Sequence, residues 1–270
     1  MAMTPQEGAL QLKSAVRDEP ALKVFYRHAG DGPPMIWLHW LWGEPGWMPQ
    51  HERLAERHSL YVPDIPGFGQ SGPLPRWASR PRDIAILILQ AIDQWGLERP
   101  TIVGSCLGGW IGAEMASLRP ERIGSLVLVA PLGLVIDWTQ MPNVFYANPD
   151  DIPGYFSPSP DSEAALAYLP HRRDWNPTFL ANRITSTKIT FDPYLHSRTL
   201  PHRLYLATPR ALIIWGSSDP LLSSDHAALW AAHLPNSEAR IISRAGHLPY
   251  VEDCDAVVGA IDSFVVQASD

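Results

Sequence analysis

A cysteine lies between two glycines in the segment Thr101-Ile-Val-Gly-Ser-Cys-Leu-Gly-Gly-Trp, where an apolar run changes into a helical pattern. Gly104 and Gly108 flank Cys106 at a spacing that permits a sharp turn from a strand into a helix. A side chain at such a turn stands clear of the backbone at the amino end of the helix, where free N–H groups and the helix dipole stabilise negative charge. The segment therefore predicts Cys106 as a nucleophile that favours the thiolate form.

Short apolar runs, which predict buried strands, alternate with segments of helical periodicity along most of the chain. The predicted strands are residues 35–39, 59–64, 101–104, 125–130, 211–215 and 239–243, and the predicted helices are residues 82–95, 107–118, 224–233 and 254–266. Strands and helices in alternation require crossover connections, so we predict an α/β fold with a mostly parallel sheet flanked by helices. Residues 10–28 alternate in places and predict an antiparallel pair of edge strands.

The alternation stops after Pro131 and resumes near residue 210. Between these positions prolines are frequent, aromatic residues are scattered, and helical pieces such as residues 162–168 are short. We therefore predict one domain with an insertion. Residues 1–133 and 210–270 form the α/β core, and residues 134–209 form a cap over the carboxyl edge of the sheet.

Composition and charge exclude a nucleic-acid partner. Hydrophobic residues make up 46% of the chain and charged residues 18%, the balance of a soluble globular enzyme. The formal net charge is -7, and Lys and Arg do not gather into a basic patch. The short basic cluster His171, Arg172 and Arg173 is followed at once by Asp174, and we interpret it as a solvated loop.

Other features limit the cellular context and the cofactors. The first residues lack the pattern of a signal peptide, and no run approaches the roughly 20 apolar residues of a membrane span. We therefore expect a cytoplasmic location, no membrane partner and a small-molecule substrate. The two cysteines, Cys106 and Cys254, lie in different local contexts, so the sequence indicates neither a disulfide framework nor a metal site, and we expect no cofactor.

Five segments resemble, in order, the landmarks of the α/β-hydrolase superfamily. They are the loop after His39, the turn Asp64-Ile-Pro-Gly-Phe-Gly-Gln-Ser, the turn at Cys106, the segment Trp215-Gly-Ser-Ser-Asp-Pro and the segment Ala245-Gly-His-Leu-Pro-Tyr-Val-Glu. The resemblance covers nearly all of the chain outside the predicted cap. It implies the α/β-hydrolase fold, with Cys106 at the position called the nucleophile elbow.

The resemblance also assigns the partners of Cys106. Asp219 corresponds to the acid after a late strand and His247 to the base after the last strand, in the family's order of nucleophile, acid and histidine. His247 would take or share the thiol proton, and Asp219 would fix the imidazole tautomer and stabilise its charged form. Asp137, placed where some relatives carry the acid, is the alternative to Asp219.

Members of this family stabilise the developing oxyanion with two hydrogen-bond donors. The first corresponds to the backbone N–H of Leu107, directly after the nucleophile. The second is expected from the loop after His39, at the N–H of Leu41. Most relatives have glycine directly after this histidine, whereas this chain has Trp40. This departure makes the assignment of Leu41 weaker than that of Leu107. We interpret His39 itself as a structural residue of the loop.

Tryptophan is unusually frequent, with 11 residues in the chain. We interpret Trp37 and Trp215 as core residues. Trp40, Trp42 and Trp110 lie near the turn at Cys106 or in the loop that faces it, and they are candidates for the walls of an apolar acyl or aromatic pocket. Further candidates from the predicted cap are Phe145, Tyr146, Tyr155 and Phe156.

A cysteine nucleophile limits which acyl substrates the enzyme can cleave. Most family members use serine, and a few, such as dienelactone hydrolases and polyhydroxyalkanoate synthases, use cysteine. Attack of the Cys106 thiolate on an acyl carbon would give a thioester; since thiolate is also a good leaving group, amides with poor leaving groups are disfavoured. The sequence therefore predicts a cofactor-independent hydrolase of a small to medium apolar ester, lactone or thioester.

Several alternatives stay open at this point. One is an acyltransferase or cyclase, in which a substrate nucleophile resolves the thioester, and another is a carbon-carbon bond hydrolase, as among cap-bearing relatives. A third is a ligand-binding protein that keeps the pocket without turnover. Cys106 could also be a small buried residue without chemistry, or a replacement of a natural serine. Haloalkane dehalogenase and epoxide hydrolase activities are not expected, because those relatives carry aspartate at the elbow.

Overall fold

One sheet of eight strands forms the centre of the computed structural model, which describes residues 4–14, 19–169 and 176–266. The strands are β1 (Gln6–Leu12), β2 (Leu22–Ala29), β3 (Pro34–Leu38), β4 (Ser59–Pro63), β5 (Thr101–Ser105), β6 (Ser125–Val129), β7 (Arg210–Gly216) and β8 (Ser237–Ile242). Their order across the sheet is β1-β2-β4-β3-β5-β6-β7-β8. β2 is antiparallel to β1 and β4, and all other neighbours are parallel. The predicted mostly parallel sheet and its antiparallel edge are confirmed.

Eight α-helices accompany the sheet in the described ranges. They are α1 (Pro49–Ala55), α2 (Pro81–Trp95), α3 (Leu107–Leu118), α4 (Glu163–Tyr168), α5 (Pro177–Thr190), α6 (Asp225–His233), α7 (Pro249–Glu252) and α8 (Cys254–Val266). α2 has the predicted amphipathic pattern: Ile84, Ile88 and Ile92 are buried, and the helix ends at Gly96, whose φ of 67° is easily adopted by glycine. The predicted helices correspond to α2, α3, α6 and α8.

The middle of the molecule is formed by β5, β6 and α3. Every residue of β5 and β6 is buried, as expected for central parallel strands covered on both faces. A Cβ atom added to Gly104 would lie 2.3 Å from the carbonyl oxygen of Gly108, and one added to Gly108 would lie 2.1 Å from that of Leu38. Only glycine fits at these contacts, so the two glycines let α3 start close to β3 and β5. This close approach positions Cys106 at the start of the helix.

The chain between β6 and β7 contains α4 and α5 and packs on loops at the carboxyl ends of β3 and β4. The Asn182 side chain donates to the Trp42 carbonyl at 2.8 Å and accepts from the Gly69 N–H at 2.9 Å. Thr185 Oγ1 donates to the carbonyl of Gly67 at 2.9 Å. These contacts tie α5 to both loops. The boundaries of the predicted cap, residues 134–209, stay a prediction.

α5 was not predicted, although it is one of the longer helices. Its sequence, PTFLANRITSTKIT, contains several β-branched residues, which lower helix propensity, and it lacks a clear apolar stripe. The helix begins with Pro177 at its first position and with the Asn176 side chain accepting a hydrogen bond from the Phe179 N–H at 2.9 Å. Tertiary contacts and this N-terminal cap therefore outweigh weak propensity.

Two predictions about the surroundings of the protein stay open. The basic cluster His171–Arg173 and the following Asp174 lie outside the described residues. In the part of the chain that the structure describes, every helix is too short or too polar to cross a membrane. The cytoplasmic location stays a prediction.

Candidate active site

The turn at Cys106 has strained backbone geometry and several hydrogen bonds that hold it. Cys106 has φ 53° and ψ -109°, values that a non-glycine residue rarely adopts, and its side chain is fully buried. Its N–H donates to the carbonyl of Val129 at 2.9 Å, and its carbonyl accepts from the N–H groups of Trp110 and Leu132 at 3.2 and 3.0 Å. Strain of this kind persists only where the surroundings enforce it, and it is common at functional sites.

His247 and Asp219 form a direct pair beside this turn. Cys106, Asp219 and His247 follow β5, β7 and β8, whose carboxyl ends lie at one edge of the sheet. His247 Nδ1 is 2.8 Å from Asp219 Oδ2, and both side chains are fully buried. Asp137, the alternative acid, is exposed and accepts hydrogen bonds from Thr139 instead. Of the two candidate acids, the fold brings Asp219 to the imidazole.

Further donors orient the Asp219 carboxylate. Oδ1 accepts from the N–H groups of Leu221 and Leu222 at 2.8 and 3.0 Å. Oδ2 accepts from Trp215 Nε1 at 2.9 Å as well as facing the imidazole. Because its other partners are fixed backbone and ring donors, the carboxylate keeps its orientation toward His247.

The electrostatic environment favours the charged imidazole. Burial, the largest single influence, lowers the pKa of His247, but electrostatic and hydrogen-bond interactions with Asp219 and Cys106 together outweigh it and raise the pKa to about 10. His247 Nε2 is buried and lacks a hydrogen-bond partner of normal geometry among the described residues. Exchange of a proton between this atom and Cys106 stays a prediction.

The loop after β3 lies against the start of α3. The carbonyl of His39 accepts from the Gly108 N–H at 3.1 Å, which joins the two segments that carry the predicted oxyanion donors. His39 Nε2 accepts from the Ile65 N–H at 3.1 Å, its Nδ1 is 2.8 Å from the Trp40 carbonyl, and burial lowers its pKa to about 4. The His39 imidazole is therefore neutral, and its hydrogen bonds hold the loop after β3 in place.

The two predicted oxyanion donors belong to fully buried residues. Within the described ranges, no hydrogen bond uses the backbone N–H of Leu41 or of Leu107. Buried N–H groups without acceptors are rare in folded proteins, and those at active sites are often aimed at a developing negative charge. Their assignment to the oxyanion stays a prediction.

Aromatic side chains cover the imidazole. Phe156 packs edge-to-face on His247, Trp40 and Trp42, with ring centroids 5.7, 5.2 and 5.2 Å away, and its carbonyl accepts from the His247 N–H at 2.9 Å. Trp40 and Trp42 also contact each other at 5.4 Å. Phe156 therefore joins the two predicted pocket tryptophans to the histidine, while Tyr146, from the same group of candidates, is 78% exposed.

Trp40, Trp42 and Trp110 line two different cavities in the described part of the chain. Trp40 and Trp42 line a cavity of about 550 Å³, whereas Trp110 lines another of about 300 Å³. Neither lining includes Cys106 or His247, and both of these side chains are fully buried. Contact of the three tryptophans with a substrate stays a prediction.

Several residues near the site were not identified from the sequence. Trp215 was interpreted as a core residue, and it is fully buried, but its Nε1 also donates to Asp219. Glu44, Tyr168 and Tyr250 form a buried hydrogen-bonded group that reaches Ser105, the neighbour of Cys106. The sequence offered one indication of this group: Glu44 is an acid inside an apolar, tryptophan-rich segment. A carboxyl group that is buried in such a segment requires hydrogen-bond partners.

The remaining candidates are simple to place. Cys254 is partly buried at the start of α8. Across the described ranges there is no group of three or more His, Cys, Asp or Glu residues arranged to hold a metal ion.

Comparisons with known proteins agree with this architecture. The family model of the alpha/beta hydrolase fold matches residues 33–253. The 2-hydroxy-6-oxo-6-phenylhexa-2,4-dienoate hydrolase of Burkholderia cepacia is 25% identical over 279 residues, which cover 94% of this chain and 96% of that protein. The solved structure of a hydrolase with the same substrate name from Rhodococcus sp. strain RHA1 has a TM-score of 0.76 and 22% identity, and covers 96% of this chain and 98% of its own.

A second solved structure, a membrane phospholipase A described as a bacterial virulence factor, has a TM-score of 0.81 and 21% identity, with 98% of this chain and 87% of that chain covered. Structural likeness at this identity describes the fold alone, whereas the family model spans most of the chain. The superfamily predicted from the sequence is confirmed: the chain belongs to the α/β-hydrolase family.

Proposed function

We propose that the protein hydrolyses a small to medium apolar ester, lactone or thioester through a covalent acyl-Cys106 intermediate. The observation that carries this proposal is the pairing of His247 with Asp219 at 2.8 Å beside a strained turn that presents a cysteine. The raised pKa of His247 supports an imidazolium beside the nucleophile.

The proposed reaction has two steps. The Cys106 thiolate attacks the acyl carbon, the N–H groups of Leu107 and Leu41 stabilise the oxyanion, and His247 Nε2 gives a proton to the leaving group. Water then loses a proton to His247 and attacks the thioester, which releases the free acid and the thiolate. Asp219 stabilises the imidazolium that is present before the first proton transfer and again after the water is deprotonated.

The surroundings favour an apolar acyl group. Trp40, Trp42 and Phe156 form an aromatic wall next to His247, and rings of this kind bind apolar or aromatic groups by area and edge contacts. We further propose that residues 134–209 act as a cap, because Phe156 lies directly on His247. Since Cys106 and His247 are fully buried, substrate entry requires that this cap move.

A carbon-carbon bond hydrolase is the second candidate. It is favoured by relatives of matching length whose names describe 2-hydroxy-6-oxo-dienoate hydrolases. The two candidates differ in the bond that breaks. Water cleaves an ester into an acid and an alcohol, whereas water cleaves a carbon-carbon bond beside a carbonyl group into a carboxylic acid and a second fragment whose carbon gains a proton.

Intact-protein mass spectrometry after brief exposure to p-nitrophenyl esters and acyl thioesters tests the first candidate. We expect a mass gain equal to the acyl group, which requires Cys106 and decays as free acid appears. Cys106→Ala abolishes the adduct, and Cys254→Ala, which removes the other thiol, retains it. An adduct that persists in Cys106→Ala, or turnover unaffected by that substitution, contradicts the mechanism. Cleavage of a dienoate substrate without ester turnover favours the second candidate.

A further inference from the structure

Four polar side chains form a continuous buried chain that ends next to the nucleophile. Tyr168 donates its O–H to Glu44 Oε1 at 2.7 Å, and its oxygen lies 3.2 Å from the Tyr250 hydroxyl. The Tyr250 hydroxyl lies 3.1 Å from Ser105 Oγ. Ser105 is the last residue of β5 and directly precedes Cys106. We call this group the Glu44–Ser105 chain.

Each member comes from a different segment around the site. Glu44 belongs to the loop after β3, which also carries Leu41, and Tyr168 is the last residue of α4, in the predicted cap. Tyr250 lies in α7, three positions after His247. The chain therefore connects the nucleophile turn with the histidine loop, the oxyanion loop and the segment between β6 and β7.

The direction of the hydrogen bonds follows from the number of protons available. A tyrosine or serine hydroxyl has a single proton to donate. Tyr168 donates its proton to Glu44, so the contact between the two tyrosines requires the proton of Tyr250. The contact with Ser105 then requires the proton of Ser105. Every donor in the chain points toward Glu44, and the orientation of the Ser105 hydroxyl depends on an acceptor that is three hydrogen bonds away.

Glu44 is a well-held end point for this chain. Its carboxyl is fully buried, and Oε2 accepts from Trp37 Nε1 at 3.1 Å, with His51 Nε2 3.7 Å away. Burial is the largest influence on Glu44 and raises its pKa, and the charge of Asp64 acts in the same direction. The hydrogen bonds from Tyr168 and Trp37 and the charge of Arg27 lower the pKa. The net result is a pKa of about 8. His51 is neutral, since burial lowers its pKa to about 3.

We propose that Glu44, Tyr168 and Tyr250 are positioning residues that act through Ser105 to hold the Cys106 turn against the loop of His247. This inference rests on the proposed roles of Cys106 and His247. In this arrangement the relative position of the thiol and the imidazole depends on the hydrogen bond between Ser105, at the end of β5, and Tyr250, in α7. Misplacement of reacting groups lowers the rate of the chemical step more than it weakens binding of the substrate.

The test compares kcat and KM of Tyr250→Phe and Ser105→Ala for an ester or thioester that the parent hydrolyses. We expect kcat to fall about tenfold in each variant, with KM changed by less than about twofold, because only the alignment of reacting groups is lost. The matched control is Thr101→Val. It removes a buried hydroxyl from the same strand, where Thr101 Oγ1 and Ser125 Oγ are 2.9 Å apart, and it should leave kcat unchanged.

Glu44 variants test the direction of the chain. Glu44→Gln keeps an oxygen that accepts from Tyr168 and should retain kcat within about threefold, whereas Glu44→Leu removes the acceptor and should lower kcat about tenfold. Adding Ser105→Ala to Glu44→Leu should cause little further loss, because the two changes interrupt one chain. Additive losses, or losses equal to that of Thr101→Val, overturn the proposal.

A measurement without substrate separates this proposal from the proposed function. The proton on His247 Nδ1 gives a downfield magnetic resonance signal when it bonds to Asp219, and its position depends on the charge of the neighbouring Cys106. We expect Tyr250→Phe to shift or broaden this signal and Thr101→Val to leave it unchanged. An unchanged signal in both variants overturns the positioning role. Turnover that survives Cys106→Ala contradicts the proposed function alone, whatever the signal does.

Discussion

Asp219 and Glu44 are two buried carboxyl groups near the same nucleophile, but their partners differ. Asp219 faces an imidazole, which can carry a positive charge, and is held by two backbone N–H groups and an indole. Glu44 faces two neutral rings and a tyrosine hydroxyl. A charged partner compensates the cost of burying a carboxylate, whereas neutral donors compensate it only in part.

The difference separates two uses of the same side chain. The charge of Asp219 raises the pKa of His247, so this carboxylate acts on the protonation state of the site. Burial raises the pKa of Glu44 to about 8, so near neutral pH the uncharged carboxyl is favoured, and its oxygen Oε1 accepts from Tyr168 as a carbonyl oxygen rather than as part of a charged group. Asp219 therefore acts electrostatically, and Glu44 acts through the geometry of hydroxyl groups.

The largest effect is expected for Asp219→Asn. The neutral amide cannot stabilise the imidazolium and presents its own protons to His247, so kcat/KM should fall by about 10³-fold or more, as at other sites where an acid orients a catalytic histidine. Steady-state kinetics of the ester reaction measure this loss. Asp137→Asn is the control: its carboxyl is exposed and bonded to Thr139, and activity should not change. A larger loss in Asp137→Asn would reverse the assignment of the acid.

The pH dependence of stability tests the other carboxyl. The pKa of Glu44 is raised from 4.5 in the unfolded chain to about 8 in the fold, so between these values the folded state holds a proton that the unfolded state has lost. The free energy of unfolding should therefore decrease with rising pH in this window, by about 1 kcal/mol per pH unit, and level off above pH 8. Urea unfolding from pH 5 to 9 measures this slope.

Glu44→Gln provides the reference for that slope. The glutamine does not titrate, so subtracting its curve removes the contributions of every other group that titrates in the same range. Parallel curves for the parent and the variant would mean that Glu44 is ionised in the fold. In that case the contrast with Asp219 would disappear, and both carboxyl groups would act as charges.

The two carboxyl groups also differ in how far the sequence could predict them. Asp219 lies in a turn after a strand, in a segment that resembles a family landmark, and both the strand and the turn are local features. The same is true of Cys106 and of His247, whose strands and loops have clear apolar and glycine patterns. The alternation of strands and helices predicted the sheet for the same reason.

Glu44 could not be predicted, because its partners come from distant parts of the chain. Tyr168 follows it by 124 positions, and Tyr250 follows Tyr168 by 82. No periodicity links such residues; only the folded sheet brings the loops after its strands to one edge. α5 escaped prediction for a related reason, since its contacts with the loops after β3 and β4 replace the apolar stripe that identifies most helices.

The smallest effect is expected at the indole that holds Asp219. Trp215→Phe removes the Nε1 donor, which lies 2.9 Å from Asp219 Oδ2 and 3.1 Å from the carbonyl oxygen of Leu222, and keeps most of the ring. The carboxylate therefore loses one of its orienting bonds but retains its charge. We expect kcat to fall about threefold to tenfold, less than in Asp219→Asn, because the carboxylate loses a single orienting hydrogen bond.

Trp230→Phe is the matched control, since Trp230 is also fully buried and its Nε1 has no hydrogen-bond partner among the described residues. Both variants lose similar packing, so a decrease in kcat confined to Trp215→Phe reports the loss of the Nε1 donor, which bonds to Asp219 Oδ2 and to the carbonyl of Leu222. Equal kcat values in the two variants would mean that the backbone donors at Leu221 and Leu222 suffice to orient the carboxylate.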